Sequence, residues 1–283
     1  MTDTELHNEI TPYLICKDYL VSDESYYVMK NHQLEMLVTS PIPSEFDKYY
    51  LSKKYQSHNS SNYSVLNLLY NLVKKRSFKQ KTALFNKEIK NQKILDIGAG
   101  TGDFLLYCKN KGLNITGVEP NENARKKAES KGIILQDRLD KVVKKKFNII
   151  TLWHVLEHIP NLYESIEQIK SLLSEKGQLF IAVPNFKSYD AQYYKEFWAA
   201  YDVPRHLWHF SQQSIKTLFS SANMKVTRVY PLVYDSFYVS LLSEKNKTGK
   251  NNFIKAFLLG LKSNLKAMKS KEYSSLIYEI EHR

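Results

Sequence analysis

The run Lys93-Ile-Leu-Asp-Ile-Gly-Ala-Gly-Thr-Gly-Asp-Phe-Leu105 decides the fold class of the chain. A short apolar stretch leads into three closely spaced glycines, Gly98, Gly100 and Gly102, and a second apolar stretch follows them. Glycine adopts positive φ without strain, and a ligand can approach its backbone closely because no Cβ stands in the way. The run therefore predicts a buried strand, a loop that binds a ligand, and a helix.

Beyond position 91 the sequence alternates short apolar stretches with stretches of helical periodicity. We predict strands at Lys93–Ile97, Ile115–Glu119, Ile133–Gln136, Phe147–Trp153, Gln178–Val183 and Lys225–Pro231. We predict helices at Phe104–Lys111, Asn123–Lys131, Leu162–Glu175 and Gln212–Ser221. This alternation predicts an α/β fold with a mostly parallel sheet, covered by helices on both faces, whose ligand lies at the carboxyl ends of the strands.

Composition limits the remaining possibilities. The chain has 283 residues, 43% hydrophobic and 25% charged, which predicts one large folded domain with additions or two modest domains. Two cysteines, Cys16 and Cys108, exclude a disulfide framework and suit a reducing cytoplasm. The sequence shows neither the apolar core of a signal peptide nor an apolar run long enough to span a membrane, so we expect a cytoplasmic protein. The formal charge of +12 raises nucleic acids, anionic membranes and acidic substrates as partners.

Three classes of nucleotide-like ligand compete for the glycine loop. A phosphate-binding loop requires a lysine after the glycines, whereas Asp103 and Phe104 stand there. In a dinucleotide fingerprint the third glycine comes one residue later, and Asp103 would repel a pyrophosphate. A cofactor that carries a positive centre and no phosphate tolerates both Asp96 and Asp103, and S-adenosylmethionine is such a cofactor.

The loop resembles motif I of the class I S-adenosylmethionine-dependent methyltransferases, in which an acidic residue precedes Gly-x-Gly-x-Gly. The resemblance implies a Rossmann-like, seven-stranded, mostly parallel sheet with an antiparallel last strand, here Ser275–Ile280. It implies that Glu119, after the second strand, accepts hydrogen bonds from the ribose hydroxyls, and that Asp137 accepts one from the adenine amine. The full set of expected cofactor residues is Asp96, Gly98, Gly100, Gly102, Glu119, Asp137 and Trp153.

Four of the eight histidines fall into two short stretches. His154 and His158 follow the fourth predicted strand, which in this fold borders the transferable methyl group, and His206 and His209 lie in a later aromatic stretch. Transfer of a methyl group to a hydroxyl requires removal of the hydroxyl proton, and an imidazole of ordinary pKa suits that role. We predict His154 as the base, with His209 next and His206 and His158 in the same pocket.

The stretch that contains His154 resembles two groups of relatives. Val155-Leu-Glu-His-Ile-Pro160 resembles the small-molecule O-methyltransferases of the ubiquinone-pathway type, which implies a small-molecule acceptor. It also resembles small-RNA 2′-O-methyltransferases, where Glu-x-x-Glu-His and a later histidine bind a divalent metal. That resemblance implies a metal set of His154, Glu157, His158 and His209, and the histidine in place of the first glutamate makes magnesium a poor fit.

The leading hypothesis is therefore an S-adenosylmethionine-dependent O-methyltransferase of small molecules without a metal. A metal-assisted RNA 2′-O-methyltransferase and a non-catalytic S-adenosylmethionine-binding protein stay open as alternatives. Among partners, nucleic acid and a peripheral membrane contact also stay open. We divide the chain into an irregular or β-containing extension (1–60), a helical cap (61–90), and a core (91–283) with a lid at 185–210 and a helical insertion at 234–273.

Overall fold

The computed structural model describes residues 9–43, 49, 65–85, 90–142 and 145–283, with the side chains of 65–73 left aside. Within these ranges the chain forms a six-stranded and a four-stranded sheet. The parts of the predicted extension and helical cap at 1–8, 44–48, 50–64 and 86–89 lie outside the described residues.

The elements alternate along the core as the sequence predicts. The strands are β1 (Ile10–Lys17), β2 (Ser25–Asn31), β3 (Met36–Ser40), β4 (Lys93–Ile97), β5 (Asn114–Val118), β6 (Phe147–Trp153), β7 (Leu173–Pro184), β8 (Trp208–His209), β9 (Met224–Pro231) and β10 (Ser275–His282). The α-helices are α1 (Val65–Ala83), α2 (Asp103–Asn110), α3 (Glu122–Glu129), α4 (Leu162–Leu172), α5 (Tyr189–Tyr194), α6 (Gln212–Ser221), α7 (Asp235–Thr248) and α8 (Phe253–Ser270).

The six-stranded sheet has the order β5-β4-β6-β7-β10-β9. Strands β5, β4, β6 and β7 are parallel, and β10 is antiparallel to both of its neighbours, β7 and β9. Both faces of the sheet are covered: Ile149 packs in one apolar cluster with α2, whereas Ile150 and Leu152 pack in another with α4 and α6. Burial on both faces explains why the central strands read as continuous apolar runs.

The prediction of a mostly parallel Rossmann-like sheet with an antiparallel last strand is confirmed, but the described residues form six strands of it, not seven. The predicted strand Ile133–Gln136 makes a single bridge, between Gln136 and Val118. Ile133 and Leu135 pack in the same apolar cluster as α2, whereas Ile134 is 82% exposed, so this segment packs at the edge of the sheet without forming a strand.

The four-stranded sheet joins the N-terminal extension to the predicted lid. Strands β1, β2 and β3 form an antiparallel meander, and β8 from the lid pairs with β3 through Leu37 and His209. The guanidinium of Arg205 in the lid lies 3.1 Å from the carboxylate of Asp18, and both side chains are buried. The extension and the lid therefore share one sheet and one buried ion pair.

The predicted insertion at 234–273 contains α7 and α8, which pack against each other. Gly260 permits this close approach, since a Cβ at that position would lie 2.8 Å from Cδ1 of Phe237 and 3.0 Å from its backbone nitrogen. Among the described residues, no helix combines the length and the apolar character needed to cross a membrane.

The buried pair between Asp18 and Arg205 makes a testable contribution to stability. Asp18 also accepts hydrogen bonds from the backbone N–H groups of Leu20, Val21 and Ser22. We expect Asp18→Asn to lower the free energy of unfolding by about 3 kcal/mol, because a buried guanidinium loses one of its counter-charges. Urea unfolding of this variant and of Asp23→Asn, which weakens the exposed pair with Lys17, measures the difference. The control loss is expected below about 1 kcal/mol, and equal losses would contradict this role of Asp18.

Candidate active site

The glycine loop forms an open cradle at the carboxyl end of β4. Gly98, Gly100 and Gly102 have φ values of 71°, 54° and 71°, a region that favours glycine. A Cβ at Gly98 would lie 2.4 Å from Cγ2 of Val155, whereas a Cβ at Gly100 would meet no atom of the described residues within 4 Å. The loop is thus packed against protein at Gly98 and open toward a ligand at Gly100.

The carboxylate of Glu119 lies directly beside this cradle. Its two oxygens accept hydrogen bonds from the backbone N–H groups of Gly100 and Asn121, each at 2.8 Å. The arrangement follows from the pairing of β5 with β4 in parallel, because the two strands end at the same edge of the sheet. A fixed carboxylate in this position is suited to accept hydrogen bonds from hydroxyl groups of a ligand.

Asp96 lies beneath the loop rather than on its surface. The side chain is only 2% exposed, and Thr151 donates a hydrogen bond of 2.6 Å to it. Burial raises the pKa of Asp96 to about 7, although the hydrogen bond from Thr151 and the charge of Lys81 act in the opposite direction. Asp96 therefore touches the strand below the cradle, and its predicted role with the cofactor stays a prediction.

Two further acidic residues pair with lysines. Asp103 lies 2.6 Å from the ammonium groups of both Lys74 and Lys131. Burial opposes its ionisation, yet hydrogen bonds from these lysines hold the pKa of Asp103 at about 2. Asp103 thus links α1 to the glycine loop. Asp137 is partly exposed and pairs with Lys141, and the preceding Gln136 accepts a hydrogen bond from the N–H of Glu119, so Asp137 lies near Glu119, and its role with the adenine stays a prediction.

His154 stands at the end of β6 between two carboxylates. Its Nε2 lies 3.0 Å from Asp235 and its Nδ1 3.4 Å from Glu157. Burial alone would lower the pKa of His154, but the two carboxylates outweigh it and raise the pKa to about 10. The imidazole is therefore protonated at neutral pH and has no lone pair for a substrate proton, which argues against the prediction that His154 is the base.

A second cluster brings together Glu157, His158 and His206. One ligand atom from each residue lies within 4.8 Å of the others. The Nδ1–H of His158 donates to the carbonyl of Arg205 at 2.9 Å, and the Nδ1–H of His206 donates to the carbonyl of Ala200 at 2.8 Å. Since a carbonyl only accepts, Nδ1 of both rings carries a hydrogen, and the neutral form of His158 has its lone pair on Nε2. Burial and the nearby His206 lower the pKa of His158 to about 4, which keeps its ring neutral.

Glu157 is the buried acid of this cluster. It is 1% exposed, and among the described residues neither of its oxygens accepts a hydrogen bond of good geometry. Despite burial, the imidazole of His154 at 3.4 Å and the nearby rings of His206 and His158 lower the pKa of Glu157. A buried carboxylate next to two oriented imidazoles is chemically suited to hold a divalent cation.

The structure assigns His209 to the four-stranded sheet. The residue is 4% exposed, its Nε2 lies 3.0 Å from Oγ1 of Thr39, and burial lowers its pKa. The predicted metal set of His154, Glu157, His158 and His209 is thereby corrected, because His206 takes the place of His209 and His154 is held by carboxylates. The lid aromatics Trp198, Tyr201, Trp208 and Phe210 are buried.

Sequence reasoning missed Asp235 and Lys81. Asp235 begins α7 just after β9, and the carboxyl end of β9 lies at the same edge of the sheet as those of β4 and β6. The strand order therefore places Asp235 in the site, whereas the residues around Asp235 contain no motif that does so. The ammonium of Lys81 lies 4.3 Å from the ring centroid of Trp153, and burial lowers its pKa to about 8. The indole N–H of Trp153 is buried and has no hydrogen-bond acceptor among the described residues.

Comparison with known proteins agrees with this geometry. A family model described as a methyltransferase domain matches residues 71–229. The chain is 33% identical over 108 residues to a ubiquinone biosynthesis O-methyltransferase of Actinobacillus pleuropneumoniae serotype 7, covering 33% of this chain and 46% of that protein. It is 36% identical over 108 residues to the protein of the same name from Glaesserella parasuis, again covering 33% and 46%. The chain thus spans about half the length of these curated relatives.

Solved structures of low sequence identity share the fold. Magnesium protoporphyrin IX methyltransferase from Synechocystis PCC 6803 with bound SAH aligns with a TM-score of 0.56 and 12% identity, over 83% of this chain and 97% of that one. Mitomycin 7-O-methyltransferase aligns with a TM-score of 0.54 and 13% identity, over 85% and 61%.

The opposite electrostatic environments of His154 and His158 can be measured directly. In protein labelled at histidine, an NMR titration between about pH 5 and pH 9 should find the His154 ring charged and the His158 ring neutral throughout. Asp235→Asn should lower the pKa of His154, whereas Asp140→Asn, which alters an exposed pair with Arg138, should not. A His154 ring that loses its proton near its ordinary pKa of 6.5 would contradict the assignment.

The same ion pairs predict a pH dependence of stability. Because the folded-state pKa of His154 lies above its ordinary value of 6.5, its contribution is complete below that pH and is lost as the pH rises toward about 10. The difference in unfolding free energy between the parent and Asp235→Asn should therefore shrink on going from about pH 6 to about pH 9. A difference independent of pH over this range would refute the ion-pair account.

Proposed function

The chain belongs to the methyltransferase-domain family, and we propose that it transfers a methyl group from S-adenosylmethionine to a hydroxyl of a small molecule. The observation that carries this proposal is the placement of an open glycine cradle, a fixed carboxylate and a cluster of oriented imidazoles at one edge of the sheet. The chain also resembles ubiquinone biosynthesis O-methyltransferases, whose name describes methylation of an oxygen.

The cradle has the features that S-adenosylmethionine requires. When bound, this cofactor supplies an electrophilic methyl group attached to a positively charged sulfur. Gly98, Gly100 and Gly102 would let the cofactor lie against backbone, and Glu119 would exchange the hydrogen bond that it accepts from the N–H of Gly100 for hydrogen bonds from the ribose hydroxyls. Asp137, on the same side of the sheet, would accept from the adenine amine.

Proton removal falls to the imidazoles of this cluster in this proposal. We assign the base to His158, with His206 next, because each ring donates its Nδ1–H to a backbone carbonyl and both lie in the cluster at the end of β6. His154 then acts as a positioning residue, since its ion pairs connect Glu157 to Asp235 at the start of α7. The reaction requires that the acceptor hydroxyl is aligned with the methyl carbon and that the hydroxyl loses its proton.

A metal-assisted reaction is a second candidate, favoured by the grouping of Glu157, His158 and His206. These residues would hold a divalent ion through one carboxylate and two imidazoles, a donor set that suits zinc or iron better than magnesium. A bound ion would acidify and orient the acceptor hydroxyl. The small-molecule and RNA 2′-O versions of this candidate differ in the salt dependence of acceptor binding, which is steep only for RNA.

The role of Glu119 predicts a loss of cofactor affinity. Glu119→Gln should weaken binding of S-adenosylmethionine by about 10-fold or more in calorimetric titration, because hydrogen bonds to a charged acceptor contribute about 1.5–3 kcal/mol. The matched control is Glu122→Gln, three positions along, whose carboxylate is exposed and paired with Lys126. Equal affinity of the two variants would remove Glu119 from the site.

The base assignment predicts a selective loss of turnover. His158→Gln should lower kcat by about 10²-fold or more with unchanged cofactor affinity, measured as S-adenosylhomocysteine formed with a panel of catechols and glycosides. His32→Gln, which alters an exposed histidine that contacts Thr11, should retain parental turnover. Parental turnover in the His158 variant would refute the assignment. If a chelator abolishes turnover and zinc or iron restores it, His158 acts as a metal ligand in the metal-assisted reaction and not as the base.

A further inference from the structure

Helix α8 carries its large apolar side chains on the outside of the molecule. Six of them are more than half exposed: Phe253, Ile254, Phe257, Leu258, Leu265 and Met268. We refer to these six residues as the docking face. Single exposed apolar residues are ordinary, but a continuous stripe along one helix marks an interaction surface.

The inner side of α8 is built from small residues. Ala256, Gly260, Ser263 and Ala267 are buried together with one larger residue, Leu259, and Gly260 lies against the backbone of Phe237 in α7. Phe257 also stacks on the ring of Phe237 at 5.3 Å, whereas Ile254 and Leu258 stay largely exposed. A helix of this kind is the reverse of an ordinary surface helix, which turns its apolar face inward.

The surroundings of the docking face are strongly basic. The segment from Lys245 to Lys271 contains eight lysines and no Asp, Glu or Arg, which gives it a formal charge of +8 out of +12 for the whole chain. Lys262 and Lys266 lie along the flank of α8, where both reach the ring of Tyr189. An apolar stripe bordered by lysines has the chemistry of a helix that lies in the interface of an anionic membrane.

The alternatives fit this surface less well. A second copy of the chain would bring two segments of charge +8 together, which Coulomb repulsion opposes. Single-stranded RNA is bound by basic residues together with aromatic rings on which bases stack, whereas four of the six residues of the docking face are aliphatic or thioether side chains. Charge complementarity thus favours anionic lipid.

We propose that α8 docks on an anionic lipid bilayer, with the docking face in the boundary between headgroups and acyl chains and the lysines among the headgroups. The helix lies in the plane of the membrane and does not cross it. The proposal does not rest on the identity of the methyl acceptor. The docked helix is nevertheless connected to the candidate active site. Helix α7 packs on α8 and begins at Asp235, whose carboxylate lies 3.0 Å from His154.

The test uses the full chain and sedimentation with vesicles. We expect the parent to pellet with vesicles of phosphatidylcholine and phosphatidylglycerol, to pellet far less with phosphatidylcholine alone, and to be released by high salt. The double variant Ile254→Asp, Leu258→Asp should lose at least about 10-fold in affinity for the anionic vesicles. Ile134→Asp, which places the same charge at a residue that is 82% exposed elsewhere, should bind as the parent does.

Unchanged thermal unfolding and unchanged binding of S-adenosylmethionine by the double variant would show that the loss is confined to the membrane contact. Failure of the parent to pellet with anionic vesicles, or equal pelleting of the double variant, would overturn the proposal. A dimer in analytical ultracentrifugation that the double variant abolishes, without vesicle binding, would assign the docking face to a second copy. Retention of single-stranded RNA in place of vesicles would assign it to nucleic acid, and either result would likewise overturn the proposal.

Discussion

The parallel pairing of β4 with β5 and β6 is the constraint on which the site depends. Parallel neighbours end at the same edge of a sheet, so the glycine loop, Glu119 and His154 meet there although they are distant in sequence. The reversal at β10 returns β9 to the same direction as β7, which adds Asp235 to that edge. A site composed of strand ends needs a rigid sheet, and burial of the central strands on both faces provides it.

Local electrostatics then separates residues that look equivalent in the sequence. His154 and His158 are four positions apart, yet one pKa is raised to about 10 and the other is lowered to about 4. The difference follows from their surroundings, because two carboxylates raise the pKa of His154, whereas burial and the nearby His206 lower the pKa of His158. An imidazolium held between two carboxylates suits the fixing of geometry, whereas a neutral imidazole suits the acceptance of a proton.

Much of the fold and the backbone conformation of the glycine loop were predictable from the sequence, because the relevant signals are local. Apolar strands such as Phe147–Trp153 and the positive-φ glycines are read from consecutive residues. The third predicted strand was wrong because buried Ile133 and Leu135 alternate with exposed Ile134 as in a strand, whereas only Gln136 bridges to the neighbouring β5, and backbone pairing is a property of the tertiary structure. The extension could be described only as irregular or β-containing, since its meander is completed by Trp208 and His209 from the lid.

The acceptor side was harder to predict because it combines distant segments. Nothing in the spacing of His206 and His209 indicates which one faces Glu157, and pairing of His209 with Leu37 in the sheet decides it. The base prediction for His154 could not anticipate Asp235, which stands 81 positions later. The cluster of lysines between Lys245 and Lys271, by contrast, was visible in the sequence. Only the structure shows that these lysines border exposed apolar side chains of α8.

The central claim is that the glycine loop and Glu119 form the cofactor cradle. A crystal structure of the protein grown with S-adenosylhomocysteine tests it most directly. The account predicts the adenosine against Gly98 to Gly102, with both ribose hydroxyls donating to Glu119 and the hydrogen bond from the N–H of Gly100 to that carboxylate released. Adenosine bound elsewhere, or a cradle still closed by the bond between Gly100 and Glu119 at saturating ligand, would contradict it.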